Sequence, residues 1–164
     1  MQRSALLLGF PIFLLACGDG AGPTEVSGEY TIAITNESDS CDSPNFTVGE
    51  TATGIPLLIT QEGANITGTV GGAAAGYLDA TLDGHVFTGS VDRYAFEMSL
   101  YGERAATVGN CTFTVNATMD GGIDGDTISG DIIYRPADNG GTDCGAASSC
   151  STVQRFNGTR PPAQ

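Results

Sequence analysis

Apolar and polar residues alternate with a period of two along most of this chain. Apolar side chains occupy every second position in three segments, which begin at Tyr30, Tyr94 and Phe113. A β-strand turns successive side chains to opposite faces of its sheet, so this pattern gives each strand one buried and one wet face. Antiparallel sheets allow that arrangement, whereas buried parallel strands read as unbroken apolar runs. The alternation therefore predicts an all-β, antiparallel fold.

Turn signals divide the alternating region into a meander of hairpins. Glycine occurs 24 times in 164 residues, about twice its average share of roughly 7%. No long window shows a helical period, so little helix is expected. Eight strands are predicted, with nine as the alternative because Val91-Asp92-Arg93 is able to bend the fifth strand or split it into two. Their residues are 28–36, 55–61, 64–70, 76–82, 85–101, 111–120, 126–135 and 150–160.

The cysteines favour the even count. In an up-and-down meander of eight strands, Cys41, Cys111, Cys144 and Cys150 all fall at the same end. Nine hairpin-linked strands would divide them between two ends, and disulfide partners need Cα atoms within roughly 4.4 to 6.8 Å. An even number also lets the last strand close antiparallel onto the first, which removes exposed sheet edges. A closed eight-stranded barrel follows.

Two disulfides are expected from these four cysteines, because no paired C-x-x-C spacing indicates a metal site. One arrangement joins Cys144 to Cys150 and Cys41 to Cys111. The other joins Cys41 to Cys150 and Cys111 to Cys144. The sequence leaves both open, and either stiffens the end of the barrel opposite the start of the first strand.

The N-terminal segment is typical of a targeting signal. Residues 5–16 are apolar, follow Arg3 and are too short to span a bilayer, which needs about 20 apolar residues. The closing Leu14-Leu15-Ala16-Cys17 resembles the lipobox of bacterial lipoproteins, which implies cleavage after residue 16 and acylation of Cys17. The alternatives are an ordinary secretion signal and a cytosolic chain with an apolar start. The resemblance divides the chain into a signal peptide (1–16), the lipidated cysteine and a flexible tether (17–27), a barrel (28–160) and a disordered tail (161–164).

Charge excludes one class of partner. The net charge is −13 and the chain contains no lysine, so nucleic acid and anionic membrane surfaces are repelled. Contact with a membrane is expected through the lipid alone, in the outer membrane or alternatively on the periplasmic face of the inner membrane. A monomer is expected.

A second resemblance concerns the barrel. Ser27-Gly28-Glu29-Tyr30, the segment Leu57-Leu58-Ile59-Thr60-Gln61 and the final Gln154-Arg155-Phe156-Asn157-Gly158-Thr159-Arg160 are similar to lipocalin and avidin-like barrels. Lipocalins place a tryptophan near the position of Tyr30 and stack an arginine of the last strand over it. The resemblance implies Arg155 or Arg160 in that role. Without tryptophan, the biotin site of avidins is not expected.

No catalytic residues are predicted. The one histidine, His85, lies beside a turn glycine, and no nucleophile motif accompanies it. The acidic residues Asp120, Asp124, Asp126 and Asp131 surround Gly125 and resemble an oxygen-rich calcium loop. Strand-like flanks and Gly122 at a ligand position favour a plain Asp-Gly hairpin turn instead. No cofactor is expected.

The interior decides between two functions. Eight strands enclose a space that side chains can fill or that holds one small ligand. The candidate interior residues are Tyr30, Phe96, Met98, Phe113 and Met119. The first hypothesis is a non-enzymatic binding protein for a small apolar or amphipathic ligand. The second is a filled barrel that acts as an adaptor or inhibitor through its rim loops, residues 37–54 and 136–150.

Overall fold

The computed structural model describes residues 23–145 and 149–162, apart from the side chain of Val108. The predicted signal peptide and the predicted lipidation site, Cys17, therefore lie outside the described residues. Within these ranges the chain forms nine strands and one helix. They are β1 (Gly28–Asp39), β2 (Thr51–Glu62), β3 (Asn65–Val70), α1 (Gly72–Leu82), β4 (Val86–Val91), β5 (Ala95–Tyr101), β6 (Ala106–Val108), β7 (Cys111–Asp124), β8 (Thr127–Asp138) and β9 (Thr152–Thr159).

Eight of the strands close into an antiparallel barrel, as the alternation predicted. Neighbours in the chain pair with one another from β1 to β5 and from β7 to β9. The pairing of β5 with β7 and of β1 with β9 completes the ring. The short β6 pairs with the first residues of β7, beside the end of β5. Each of the eight barrel strands is therefore paired on both of its sides.

The predicted strand at 76–82 is wrong, because this segment belongs to helix α1. Three consecutive alanines begin the helix, and alanine has the highest helix propensity. Leu78 and Leu82 are four residues apart, so the helix turns both to one face, where they are 5% and 2% exposed. Asp83 ends the helix in the left-handed region, with φ of 66°. The spacing of Leu78 and Leu82 fits both the period of a strand and one face of a helix.

The predicted long strand 85–101 is two strands. β4 ends at Val91 and β5 begins at Ala95, so the chain divides at the segment where a bend or a split was considered. The amide of Asp92 donates to the carbonyl of Ala95 at 2.8 Å and closes the turn. Losing one predicted strand to α1 and gaining one here leaves eight strands in the barrel, which keeps the parity.

We call the end of the barrel where β1 begins the filled end. Large side chains from most strands meet there without exposure, including Tyr30, Phe156 and Met98 at 2%, 0% and 0%. The rings of Phe96 and Phe156 pack with centroids 6.1 Å apart. Gly121 faces them, and a Cβ at that position would lie only 2.6 Å from Phe96 Cζ. Glycine here makes room for two phenyl rings.

Residues before β1 extend the filled end. Val26 is fully buried, its amide donates to Gln61 Oε1 at 2.8 Å and its carbonyl accepts from the Tyr30 hydroxyl at 3.0 Å. The tether expected over 17–27 therefore includes residues that pack on the barrel. Among the described residues no helix has the length and apolarity to cross a membrane.

Both disulfides lie at the opposite end, which we call the hollow end. Cys41 bonds to Cys150 and Cys111 bonds to Cys144, with Cα separations of 5.0 and 4.8 Å. This is the second of the two arrangements that the sequence left open. The first bond ties the loop after β1 to the residues before β9. The second ties the start of β7 to the loop after β8.

Candidate functional site

A cavity of about 1010 Å³ occupies the hollow end of the barrel. This is at the upper end of the roughly 300 to 1,000 Å³ that small-molecule sites span. Every element except β6 and β5 contributes to its wall or rim. Its apolar wall consists of Ile32, Ile34, Ile55, Val70, Leu78, Leu82, Phe87, Phe113, Val115, Met119 and Ile132. The cavity is thus a continuation of the barrel interior that side chains leave unfilled.

Helix α1 covers one side of the cavity. Leu78 and Leu82 point inward, and Tyr77 borders the cavity with 66% of its surface exposed. Both ends of the helix are held, because the Gly71 amide donates to the Pro56 carbonyl at 2.8 Å and the Glu103 amide donates to the Leu82 carbonyl at 2.9 Å. The helix is therefore a fixed part of the wall.

The loop between β1 and β2 forms the other side. The exposed residues of the lining belong to residues 40–56 and to 72–81. The mouth of the cavity consequently lies between this loop and α1.

Asp39 organises the loop. Its carboxylate accepts from Thr152 Oγ1 at 2.6 Å, from the Cys41 amide at 3.0 Å and from the Ser43 amide at 2.5 Å. Desolvation by burial opposes ionisation, yet these hydrogen bonds prevail and lower the pKa of Asp39. An ionised Asp39 thus fixes the loop beside the Cys41–Cys150 disulfide.

One strip of the wall is polar. Gln154 Nε2 donates to Asn36 Oδ1 at 2.8 Å, and Asn36 Nδ2 donates to the Thr47 carbonyl at 3.1 Å. Tyr134 lies on the neighbouring strand β8, opposite Thr152. Burial raises the pKa of Tyr134, and the neighbouring Tyr77 adds to the shift. The Tyr134 phenol therefore stays neutral and is available as a hydrogen-bond donor.

Of the predicted interior residues, Phe113 and Met119 line the cavity. Tyr30, Phe96 and Met98 are instead packed in the filled end. The interior therefore combines the two states considered from the sequence, since one half is filled and the other is hollow. Several wall residues were missed, above all Leu78, Tyr134 and Gln154. Tyr134 continues the alternation of Ile128 and Ile132, which is a signal that sequence analysis could use.

The arginine over Tyr30 is Arg160. Its guanidinium carbon lies 5.6 Å from the centre of the Tyr30 ring, within the range of a cation–π interaction. Arg160 Nε also donates to Asp126 Oδ1 at 3.0 Å, and Nη1 donates to the Ser27 carbonyl. Gly28 has φ of 150°, and a Cβ there would lie 3.0 Å from Arg160 Cδ.

The other candidate, Arg155, lies outside the barrel, and its side chain is paired with Glu37 and Asp131 at 3.3 and 3.6 Å.

The four aspartates considered for calcium do not converge. Gly125 and Asp126 form the β7–β8 hairpin turn, and Asp126 pairs with Arg160. Asp124 is at the exposed end of β7, while Asp120 and Asp131 face each other across β7 and β8 on the outside. Within 23–145 and 149–162, no three His, Cys, Asp or Glu side chains are grouped to hold a metal ion.

His85 lies between α1 and β4. Its Nδ1 contacts Asp79 Oδ1 at 2.7 Å, and both side chains are partly exposed. His85 is not part of the cavity lining. The contact joins the last turn of α1 to the start of β4.

Comparisons with protein-family models, with curated proteins and with solved structures each returned no match.

Proposed function

We propose that this protein is a lipid-anchored component of the bacterial cell envelope whose barrel binds a small apolar or amphipathic ligand without catalysing a reaction. The observation that supports this proposal is the cavity of about 1010 Å³ at the hollow end. Apolar side chains cover most of its wall, and α1 and the β1–β2 loop border its mouth. An adaptor with a filled barrel would not need such a space.

Binding in this cavity has a clear driving force. Apolar surface that leaves water contributes about 25 cal/mol per Å², so a ligand that buries roughly 200 Å² contributes about 5 kcal/mol before the costs of association. The wall residues also gain the dispersion contacts that an unfilled space withholds. A ligand with a hydrocarbon part thus suits the cavity.

The placement of the cavity fits an anchor at Cys17. The chain enters the barrel at the filled end, where Val26 is buried. The mouth lies at the other end, so an anchored barrel opens away from the bilayer. Two disulfides in a chain of this kind also suit an exported compartment. In this proposal the ligand is exchanged with the aqueous space of the envelope, and the anchor belongs to the outer membrane.

Dye binding tests the proposal with a matched pair of variants. The full chain carries Cys17→Ser, so that no lipid competes for the cavity, and is titrated with the uncharged fluorophore N-phenylnaphthylamine. Val115→Trp introduces a large side chain from the cavity wall into empty space. Val86→Trp makes the same change on the outer face of β4, where Val86 is 41% exposed.

We expect saturable dye binding to the parent chain and to Val86→Trp, and binding weaker by about tenfold or more in Val115→Trp, because the indole occupies the ligand's volume. Circular dichroism and thermal unfolding check that both variants fold. Absence of dye binding to the parent, or equal binding in both variants, would contradict the proposal.

A further inference from the structure

We infer that the cavity selects an uncharged amphiphile, with a hydroxyl or carbonyl head group that hydrogen-bonds to Tyr134 and Gln154 and a hydrocarbon part that lies against β3 and β4. This inference rests on the proposed function and specifies the chemical class of the ligand. It follows from the polar strip, from the groups that are unpaired there and from the charges around the cavity.

The polar strip occupies one side of the cavity only. Asn36, Gln154 and Tyr134 are on the adjacent strands β1, β9 and β8. Tyr134 pairs with Thr152, and Gln154 is two residues farther along β9. Such diagonal neighbours on one face of a sheet are separated by roughly 7 to 8 Å between Cα atoms. A single small head group is therefore able to reach both side chains.

Both side chains have unused hydrogen-bonding capacity. The Tyr134 hydroxyl makes no hydrogen bond to another described residue, and it is not among the buried atoms that lack a partner, so it is open to the cavity. Gln154 uses Nε2 for Asn36, and its carbonyl oxygen has no partner among the described residues. Polar groups that leave water without a partner lose free energy. A hydroxyl group satisfies both, because it accepts from Tyr134 and donates to Gln154.

Charge excludes an ionised head group at this strip. No arginine or histidine belongs to the described lining, while Asp42 and Glu50 border the mouth. A carboxylate would leave water without a counter-cation and would pass two acids on entry. A cationic head group would pair with those acids at the mouth and leave Tyr134 and Gln154 unsatisfied.

The wall across from the strip is apolar. Val70 on β3 and Phe87 on β4 line the cavity there. The barrel order places β3 and β4 across from β8 and β9. A hydrocarbon chain therefore contacts one wall while its head group contacts the other.

Competition between three ligands of equal chain length tests the inference. Decanol, decanoate at pH 8 and decyltrimethylammonium are titrated against bound N-phenylnaphthylamine in the full chain with Cys17→Ser. Each titration is repeated in Tyr134→Phe and in Tyr101→Phe, which removes a hydroxyl from a side chain 72% exposed on the outer face. The dye itself measures whether each variant retains the cavity.

We expect decanol to displace the dye at least about tenfold more strongly than decanoate or the ammonium compound. Tyr134→Phe should weaken the binding of decanol by roughly fivefold to tenfold, the effect of one lost hydrogen bond. Tyr101→Phe should change the binding of decanol less than about twofold.

Dye binding without this preference, or without an effect of Tyr134→Phe, would overturn the inference and leave the proposed function intact. Strongest displacement by the ammonium compound would overturn it in favour of recognition by Asp42 and Glu50. A parent that binds no dye would contradict the proposed function itself.

Discussion

The two ends of this barrel are built from the same eight strands but are stabilised differently. At the filled end, large side chains such as Phe156 pack against interior glycines and leave no exposed core surface. At the hollow end, the strands surround a cavity of about 1010 Å³. Two disulfides and the hydrogen bonds of Asp39 hold the loops there.

This contrast separates stability from binding. Close packing supplies the folding free energy at one end, where no space remains for a ligand. Covalent links replace packing at the other end and keep the wall in place around an unfilled volume. The residues that border the cavity are thus tied through their backbone and cysteines.

Removal of the Cys41–Cys150 disulfide should have the largest effect. The bond closes a separation of 109 residues, and the loop-entropy relation gives about 5 kcal/mol for its contribution to the free energy of unfolding. Cys41→Ser combined with Cys150→Ser should lose stability of that order in denaturant titrations. Hydrogen exchange should accelerate first in residues 40–50, while the amide of Val26 at the filled end keeps its protection until global unfolding.

The second disulfide supplies the control. Cys111 and Cys144 are separated by 33 residues, so the same relation gives a contribution smaller by about 1 kcal/mol. Uniform loss of protection at both ends in either double variant would show that the hollow end is not the part that the disulfides hold.

Removal of a phenyl ring compares the ends directly. Phe156→Ala empties a fully buried site among packed neighbours and should lower the free energy of unfolding by about 3 to 5 kcal/mol. Phe113→Ala removes a ring that already borders the cavity, and we expect a loss of about 1 kcal/mol because fewer packing contacts are lost. Urea unfolding of both variants measures the difference.

Ligand binding should show the opposite order. Phe113→Ala alters the cavity wall and should weaken dye binding, whereas Phe156→Ala should leave it close to the parent value when measured well below the unfolding transition. Equal losses of stability in the two variants would contradict the division of the barrel into a filled and a hollow end.

Most of the fold was predictable because apolar and polar residues alternate in the sequence of a strand that has one buried face. The parity of the strands also placed all four cysteines at one end, since that argument needs only their positions relative to strand ends. Helix α1 was not predictable in this way. Its segment 76–82 alternates as a strand does, and the decisive contacts of Leu78 and Leu82 lie on distant strands.

The cavity was only partly predictable. Alternation identified Phe113 and Met119 as interior residues, but it could not distinguish them from Tyr30 and Phe96, which face the same interior at the other end. Whether a barrel is filled depends on the fit between side chains of different strands, such as the phenyl rings opposite Gly121. The pairing of strands in register decides that fit, and a single sequence does not encode it locally.

The outer surface near the filled end carries a row of carboxylates that has a small electrostatic effect on stability. Glu97, Asp120 and Asp131 are cross-strand neighbours on β5, β7 and β8. Desolvation and the two neighbouring carboxylates raise the pKa of Asp120. Ionised Asp120 therefore opposes folding at neutral pH, and this cost fades as the pH falls through its raised pKa.

Asp120→Asn should raise the free energy of unfolding at pH 7 by up to about 0.5 kcal/mol, since solvent screens the site. In thermal unfolding at several pH values, the gain should disappear in acid, and Asp124→Asn at the exposed end of β7 should show a smaller one. A gain that grows in acid would show that the row of carboxylates does not destabilise the folded barrel. The stability of the filled end would then depend on its interior packing and not on charges on its outer face.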